Sequence, residues 1–224
     1  SLLEQALTEQ KRILIIGDFD ADGATASVVA MKSLRMMGAK QVDFLVPNRF
    51  EHGYGLSPEI VDLAIKEKQP DLIITVDNGI SSFDGTELAK NSGINVIITD
   101  HHLPSDSLPV ADAIINPNLK GCDFPSKNLA GVGVCFYLFS SLKSHLHKGS
   151  YFTNNNIPLP DLRQVLDLVA LGTVADVVKL DQNNRILIDQ GIKRIQQKQC
   201  TPGILALLEI ANRPAQTLQA SDLG

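Results

Sequence analysis

Four short, nearly continuous apolar runs dominate the first half of the chain: RILIIG (12–17), QVDFLV (41–46), DLIITV (71–76) and NVIITD (95–100). Runs of this length, rich in Val, Ile and Leu and without polar alternation, fit strands covered on both faces. Helical patterns at 24–37, 57–67 and 82–91 separate them, and DAIINP (112–117) offers a short fifth strand. Alternation of strand and helix predicts an α/β fold: a parallel β-sheet of about five strands, right-handed crossovers, and helices on both faces. The second half changes texture. Helical periodicity at 129–147, 161–171, 183–197 and 202–212, broken by an Asn- and Pro-rich loop at 148–160, predicts a mainly helical C-terminal portion. The expected organisation is an α/β core over 1–160 and a helical continuation of the same domain over 161–224.

The polar residues that matter stand where the apolar runs stop. In open parallel sheets the functional crevice lies beyond the carboxyl ends of the strands. Asp18, Asp77 and Asp100 each sit at or just past such an end. GDFDADG adds Asp20 and Asp22, which would share a direction with Asp18 if the segment were extended. Three carboxylates so close repel unless a cation separates them; the bland alternative is an acidic turn whose Asp22 caps the next helix. Asp77 in VDNG has a structural alternative as an Asx-type turn with Asn78 and Gly79. Asp176 lies in the apolar stretch VLDLVALGTVADV, where an acid is costly to bury unless paired or coordinated; helix-terminal capping is its alternative. Asp100-His101-His102 brings two imidazoles to the same end of the sheet. Adjacent residues in extended backbone point to opposite sides, so one His would bind metal and the other face substrate.

Carboxylates with one imidazole suit hard divalent cations, and two such ions can clamp both oxygens of an in-line phosphoryl displacement. The residues alone therefore read as a two-metal phosphoesterase. Arg49, in VPNRFEHGYGLS, is a candidate phosphate contact because its planar fork matches phosphate oxygens. His52, His145 and His147 read as ordinary surface or core histidines. LAGVGVCF (129–136) reads as close helix packing through Gly131 and Gly133 rather than as a phosphate cradle.

Composition narrows the remaining classes. With 224 residues, of which 44% are hydrophobic, the chain is an ordinary globular one. No apolar run approaches the length that spans a bilayer, and the N-terminus lacks a signal-peptide pattern. Three dispersed cysteines indicate neither a disulfide framework nor a zinc site, which fits a cytoplasmic protein. The net charge of −5 argues against a broad basic nucleic-acid surface, but six of the acids belong to the proposed cluster, where cations would offset them. The opening Ser1 and the abrupt end at Gly224 suggest a piece of a longer protein.

DFDADG, VDNG, DHH and GTVAD, in that order, resemble the four motifs of the DHH phosphoesterase superfamily. GDFDADGAT, LVPNRFEHGYGLS, TVDNGISS, VIITDHHLP, IINPN, LAGVGV and DLVALGTVADVV further resemble its RecJ family of bacterial single-stranded-DNA-specific exonucleases, across essentially the whole chain. That resemblance implies a 5′-to-3′ exonuclease using two Mn²⁺ or Mg²⁺ ions, releasing 5′-mononucleotides from single-stranded DNA in recombination and repair, alongside other proteins of those processes and away from membranes. It implies Asp20, Asp22, Asp77, His101 and Asp176 as metal ligands with Asp77 bridging. His102 would contact the scissile phosphate, and Asp18 and Asp100 would serve as lesser ligands or orienting acids beside the reacting atoms. Ile16 stands near a position where other superfamily members carry a His, implying a metal site with fewer protein ligands. The further substrate-binding domain (DHHA1-type) and oligonucleotide-binding (OB) domain of such proteins have no counterpart in this sequence. The alternatives are a superfamily relative acting on pyrophosphate, short oligonucleotides or cyclic dinucleotides, and a catalytically silent scaffold.

Overall fold

The apolar runs become a five-stranded parallel sheet in the computed structural model, which describes residues 1–48 and 53–224. In chain order the elements are α1 (Leu2–Thr8), β1 (Ile13–Gly17), α2 (Ala21–Met36), β2 (Val42–Leu45), α3 (Pro58–Glu67), β3 (Leu72–Val76), α4 (Phe83–Asn91), β4 (Asn95–Thr99) and β5 (Ala113–Ile115). There follow α5 (Gly131–Lys148), α6 (Tyr151–Asn154), α7 (Leu166–Ala175), α8 (Gln182–Gln196) and α9 (Pro202–Ile210), with 3₁₀ turns at Leu162–Val165, Ala215–Thr217 and Ala220–Asp222. Strand order is β2-β1-β3-β4-β5, every pair parallel, so all five carboxyl ends open on one edge.

Side-chain alternation along the strands sorts the core into two layers. Ile13 and Ile15 of β1, Leu72, Ile74 and Val76 of β3, and Ile97 of β4 pack with α1, α2, α5, α7 and α8. Leu14, Ile16, Ile73, Val96 and Ile98 face the other way, against Leu56, Ile60, Val61 and Ala64 of the α3 region and Ala89 of α4. Ile16, fully buried in that second layer, therefore takes no part in the polar edge. The first layer runs from Leu3 to Leu223, so residues on either side of position 160 share one core.

Two helix starts bear on the site. The pattern predicts a helix from residue 24, yet α2 begins at Ala21, because Asp20 caps it by accepting the Gly23 amide (2.8 Å). Gly23 permits this early start: a Cβ there would fall within 2.6 Å of the Asp18 backbone nitrogen. The helix predicted at 161–171 is instead a 3₁₀ turn leading into α7, which continues through Gly172 to Asp176 at its C-cap. Gly172 is not a stop; it lets α7 pack directly onto Thr25 and Asp22 of α2.

Candidate metal centre and active site

Loop and helix ends meet at the carboxyl edge of the sheet. Asp18 follows β1, and its Oδ1 accepts the Phe19 amide at 2.7 Å. Asp77 follows β3 with φ +63, a left-handed conformation that β-branched residues rarely adopt and Asp tolerates. Its amide donates to the Thr99 carbonyl at 3.0 Å, tying the end of β3 to β4. Neighbouring Asn78 donates through Nδ2 to the carbonyls of Ile16 (3.0 Å) and Val76 (2.9 Å), tying β3 to β1. Gly79, at φ +111, completes the turn, where a Cβ would strike Thr75. The turn is thus built on Asn78, and Asp77 points its carboxylate elsewhere.

Asp18, Asp20 and Asp22 do not lie side by side in an extended segment. Asp20 is a helix cap and Asp22 lies inside the first turn of α2, which rotates Asp22 away from the other two. It is buried, with Oδ2 accepting the Gly131 amide (2.6 Å) and Oδ1 the Val132 amide (2.9 Å). LAGVGV therefore does more than pack helices. It brings the amino end of α5 to a carboxylate, where unpaired amides and the helix dipole favour negative charge. Gly131 also leaves the space that Asp77 fills, since a Cβ there would lie 2.7 Å from Asp77 Cγ.

The histidines likewise depart from extended backbone. Their rings are neighbours, centroids 4.5 Å apart, and do not point to opposite sides of a strand. His101 Nε2 lies 3.2 Å from Asp77 Oδ1 and 3.5 Å from Asp176 Oδ2. Asp100 is buried and accepts four hydrogen bonds: Oδ2 from the Ile80 amide (2.9 Å), and Oδ1 from the amides of His101 (2.7 Å) and His102 (3.1 Å) and from His102 Nδ1 (2.7 Å).

The donor atoms sort into groups, each within 4.8 Å: Asp22, His101 and Asp176; Asp18, Asp20 and Asp77; and Asp77 with both histidines. Asp77 belongs to two of the three and stands between the acids after β1 and the histidines after β4. Asp77 Oδ1, His101 Nε2 and Asp176 Oδ2 are buried, and none makes a hydrogen bond. Buried polar atoms without partners cost about 1–3 kcal/mol each, and here three converge. His101 Nε2 stands 3.2 and 3.5 Å from the two carboxylate oxygens, close to the separation of neighbouring donors that would share a small divalent cation with bonds near 2.1 Å. Oxygen donors with one imidazole suit Mn²⁺ or Mg²⁺ rather than a softer metal.

Electrostatics agree. Burial, then repulsion from neighbouring acids, raises Asp77 to about 8 and pushes Asp22 well above the usual carboxylate range. Asp18 and Asp176 are raised chiefly by burial. Asp100 goes the other way. Burial opposes its ionisation, but the bonds from His102 and the Ile80 amide outweigh it and hold the carboxyl below its ordinary value. The same bond to Asp100 raises His102.

Tyr54 was missed in the sequence. It hydrogen-bonds Asp18, and its ring meets Phe19 and His102 edge-on at centroid distances of 6.3 and 6.4 Å. With Asp100, His102 and Ile80 it borders a cavity of about 660 Å³ beside the acids. Only its place in GYGL, flanked by two glycines, could have suggested an aromatic presented at a turn. Arg49 and His52 lie outside the described residues. His145 lies on α5, its Nε2 2.9 Å from Glu4 and remote from the edge, and His147 lies two residues further along the same helix.

Residues 12–173 match the family described as "DHH family, N-terminal domain". The chain belongs to the DHH family. Among its DHH relatives, the single-stranded-DNA-specific exonuclease RecJ of Escherichia coli K12 is 59% identical over the whole chain, which spans 38% of that protein. A crystal structure of exonuclease RecJ bound to manganese superposes with a TM-score of 0.82 at 34% identity, covering 99% of this chain and 52% of that one. RecJ of Thermus thermophilus in complex with Mn²⁺ gives 0.78 at 31% identity, covering 99% and 30%. The DHH tripeptide for which the family is named is Asp100-His101-His102 here.

Proposed function

We propose that this chain is the catalytic core of a metal-dependent, single-stranded-DNA-specific 5′-to-3′ exonuclease. The carrying observation is the convergence of Asp77 Oδ1, His101 Nε2 and Asp176 Oδ2, all buried and without a hydrogen bond, at one edge of the sheet. Asp22, His101 and Asp176 would hold one divalent cation, Asp18 and Asp20 a second, with Asp77 shared between them. Bound there, Mn²⁺ or Mg²⁺ ions supply an activated water and neutralise charge on the leaving oxygen of a phosphodiester.

The remaining chemistry belongs to side chains. His102 is half-exposed, and Asp100 holds its Nδ1. The Asp100 carboxylate at His102 Nδ1 raises the imidazole above its ordinary value and leaves Nε2 to face the substrate; in its protonated form the ring would offer Nε2–H to a phosphate oxygen. Asp100 is thus the orienting acid, and His102 the group that meets the substrate. Asp18 is held by the Phe19 amide and Tyr54, which fixes one wall of the site. Arg49 is proposed as a further phosphate contact on its chemistry alone. Among the described residues no helix is long and apolar enough to cross a membrane. The three free cysteines support a cytoplasmic location. A role in DNA repair and recombination accompanies this reading.

The test is release of mononucleotides from 5′-phosphorylated single strands with Mn²⁺, set beside duplex DNA, pyrophosphate and cyclic dinucleotides. Preferential digestion of single strands, abolished by Asp77→Asn, supports the proposal. Equal turnover of the small phosphates, or activity surviving Asp77→Asn, rejects it.

A further inference from the structure

Among the described residues, side chains hold the backbone of the histidine pair. The β4–β5 ladder ends where the Asp100 amide donates to the Ile115 carbonyl at 3.1 Å. Beyond that rung the chain must leave the strand, because a strand would send the two rings to opposite faces, whereas their centroids lie 4.5 Å apart. Leaving the ladder strips four backbone groups of partners. Asp100 takes both amides. Asn118 Nδ2 donates to the His101 carbonyl at 2.6 Å, and Asn116 Nδ2 to the His102 carbonyl at 2.8 Å.

The two asparagines act as one unit. Asn116 is buried, and its Oδ1 accepts the Asn118 amide at 2.8 Å. Pro117 between them restricts φ to about −65°, and its carbonyl accepts a bond from Lys127 Nζ at 2.7 Å, which also reaches the Cys122 carbonyl. Asn116 donates to one backbone group and accepts from another through the two separate atoms of its amide, which an ionised Asp, having no donor, cannot do.

We propose that Asn116 and Asn118 of the INPN loop are positioning residues of the metal centre. They replace the next rungs of the β4–β5 ladder and hold His101 and His102 on the same side, His101 toward Asp77 and Asp176 and His102 toward the substrate. This rests on the reading of His101 as a ligand. Asn118 carries the test because it is only partly buried and its loss leaves the core untouched.

The experiment titrates Mn²⁺ calorimetrically into wild-type protein, Asn118→Ala and Asn118→Leu, the last keeping the branched shape without a donor, and records thermal unfolding of each metal-free protein. Loss of a group that orients a metal ligand weakens affinity by about 10-fold or more. The expected result is that loss in both variants, per folded molecule. Affinity within about 3-fold of wild type, whatever the thermal midpoint, overturns the proposal while leaving the metal centre standing. Wild-type protein that binds no Mn²⁺ overturns the metal-centre reading, and the proposal with it. Asn116→Ala, if it folds, is expected to lower kcat more than it changes Mn²⁺ affinity, since its amide holds His102; the opposite pattern counts against the division of labour.

Discussion

Asp22, in the first turn of α2, accepts a 2.6 Å hydrogen bond from the amide of Gly131, the first residue of α5 and 109 positions later in the chain. The same glycine abuts the Asp77 carboxylate, so one backbone position serves two acids from two motifs. Gly131→Ala forces a methyl group against Asp77 in a packed site. Overpacking of this kind costs about 1–3 kcal/mol. Urea unfolding should show that loss and Mn²⁺ titration a weakened site; a variant with wild-type values in both would mean the edge is looser than the structure shows.

Asp77→Asn mimics the protonated carboxyl that burial favours at neutral pH. The metal-free variant should be as stable as wild type or more so near pH 7, because no buried charge is lost. Its thermal midpoint should no longer rise on adding Mn²⁺. Differential scanning calorimetry with and without the ion checks both halves, and a large destabilisation without metal would contradict the raised pKa.

The pH dependence of the metal-free protein has a definite sign. Asp77 is raised to about 8 from an ordinary 3.8, so between those values the folded state binds the proton that the unfolded chain has released. Stability contributed by this group is complete below pH 4 and is lost as pH rises toward 8. Mn²⁺ must displace the same proton, so affinity should climb through that window. Titrations in buffers of different ionisation enthalpy near pH 7 should reveal proton release; none at all would place the Asp77 pKa much lower.

Asp100→Asn removes the charge that raises His102. The His102 pKa should fall toward its ordinary value near 6.5, moving the alkaline limb of the pH–rate profile to lower pH, with Mn²⁺ affinity changed less than kcat. An unmoved limb would show that some other group governs it.

Asn78→Ala breaks two buried bonds, to the carbonyls of Ile16 and Val76, that join the ends of β1 and β3. Losing these two buried bonds should cost about 1–3 kcal/mol, read as a lowered urea midpoint with unchanged slope. A neutral result would mean that water replaces the amide.

The strands, their parallel direction and the identity of the acids at the sheet's edge were legible because each depends on local pattern. Continuous apolar runs mean two covered faces, and polar residues at their ends fall on one edge by topology alone. Asp176 was legible as an acid stranded in apolar context, whereas local pattern left open which histidine would be the ligand and only the resemblance to the DHH motifs pointed to His101. What the sequence could not determine is direction. Asp22 turns from Asp18 because Asp20 caps a helix that starts before Gly23, and the two rings share a side because INPN and Asp100 replace a ladder that ends. The use of LAGVGV as an anion-facing helix start depends on α5 meeting α2, a contact across 109 residues. Motif spacing records which side chains are present. Where their atoms point is set by helix caps, left-handed turns and hydrogen bonds between distant segments, and those exist only once the chain has packed.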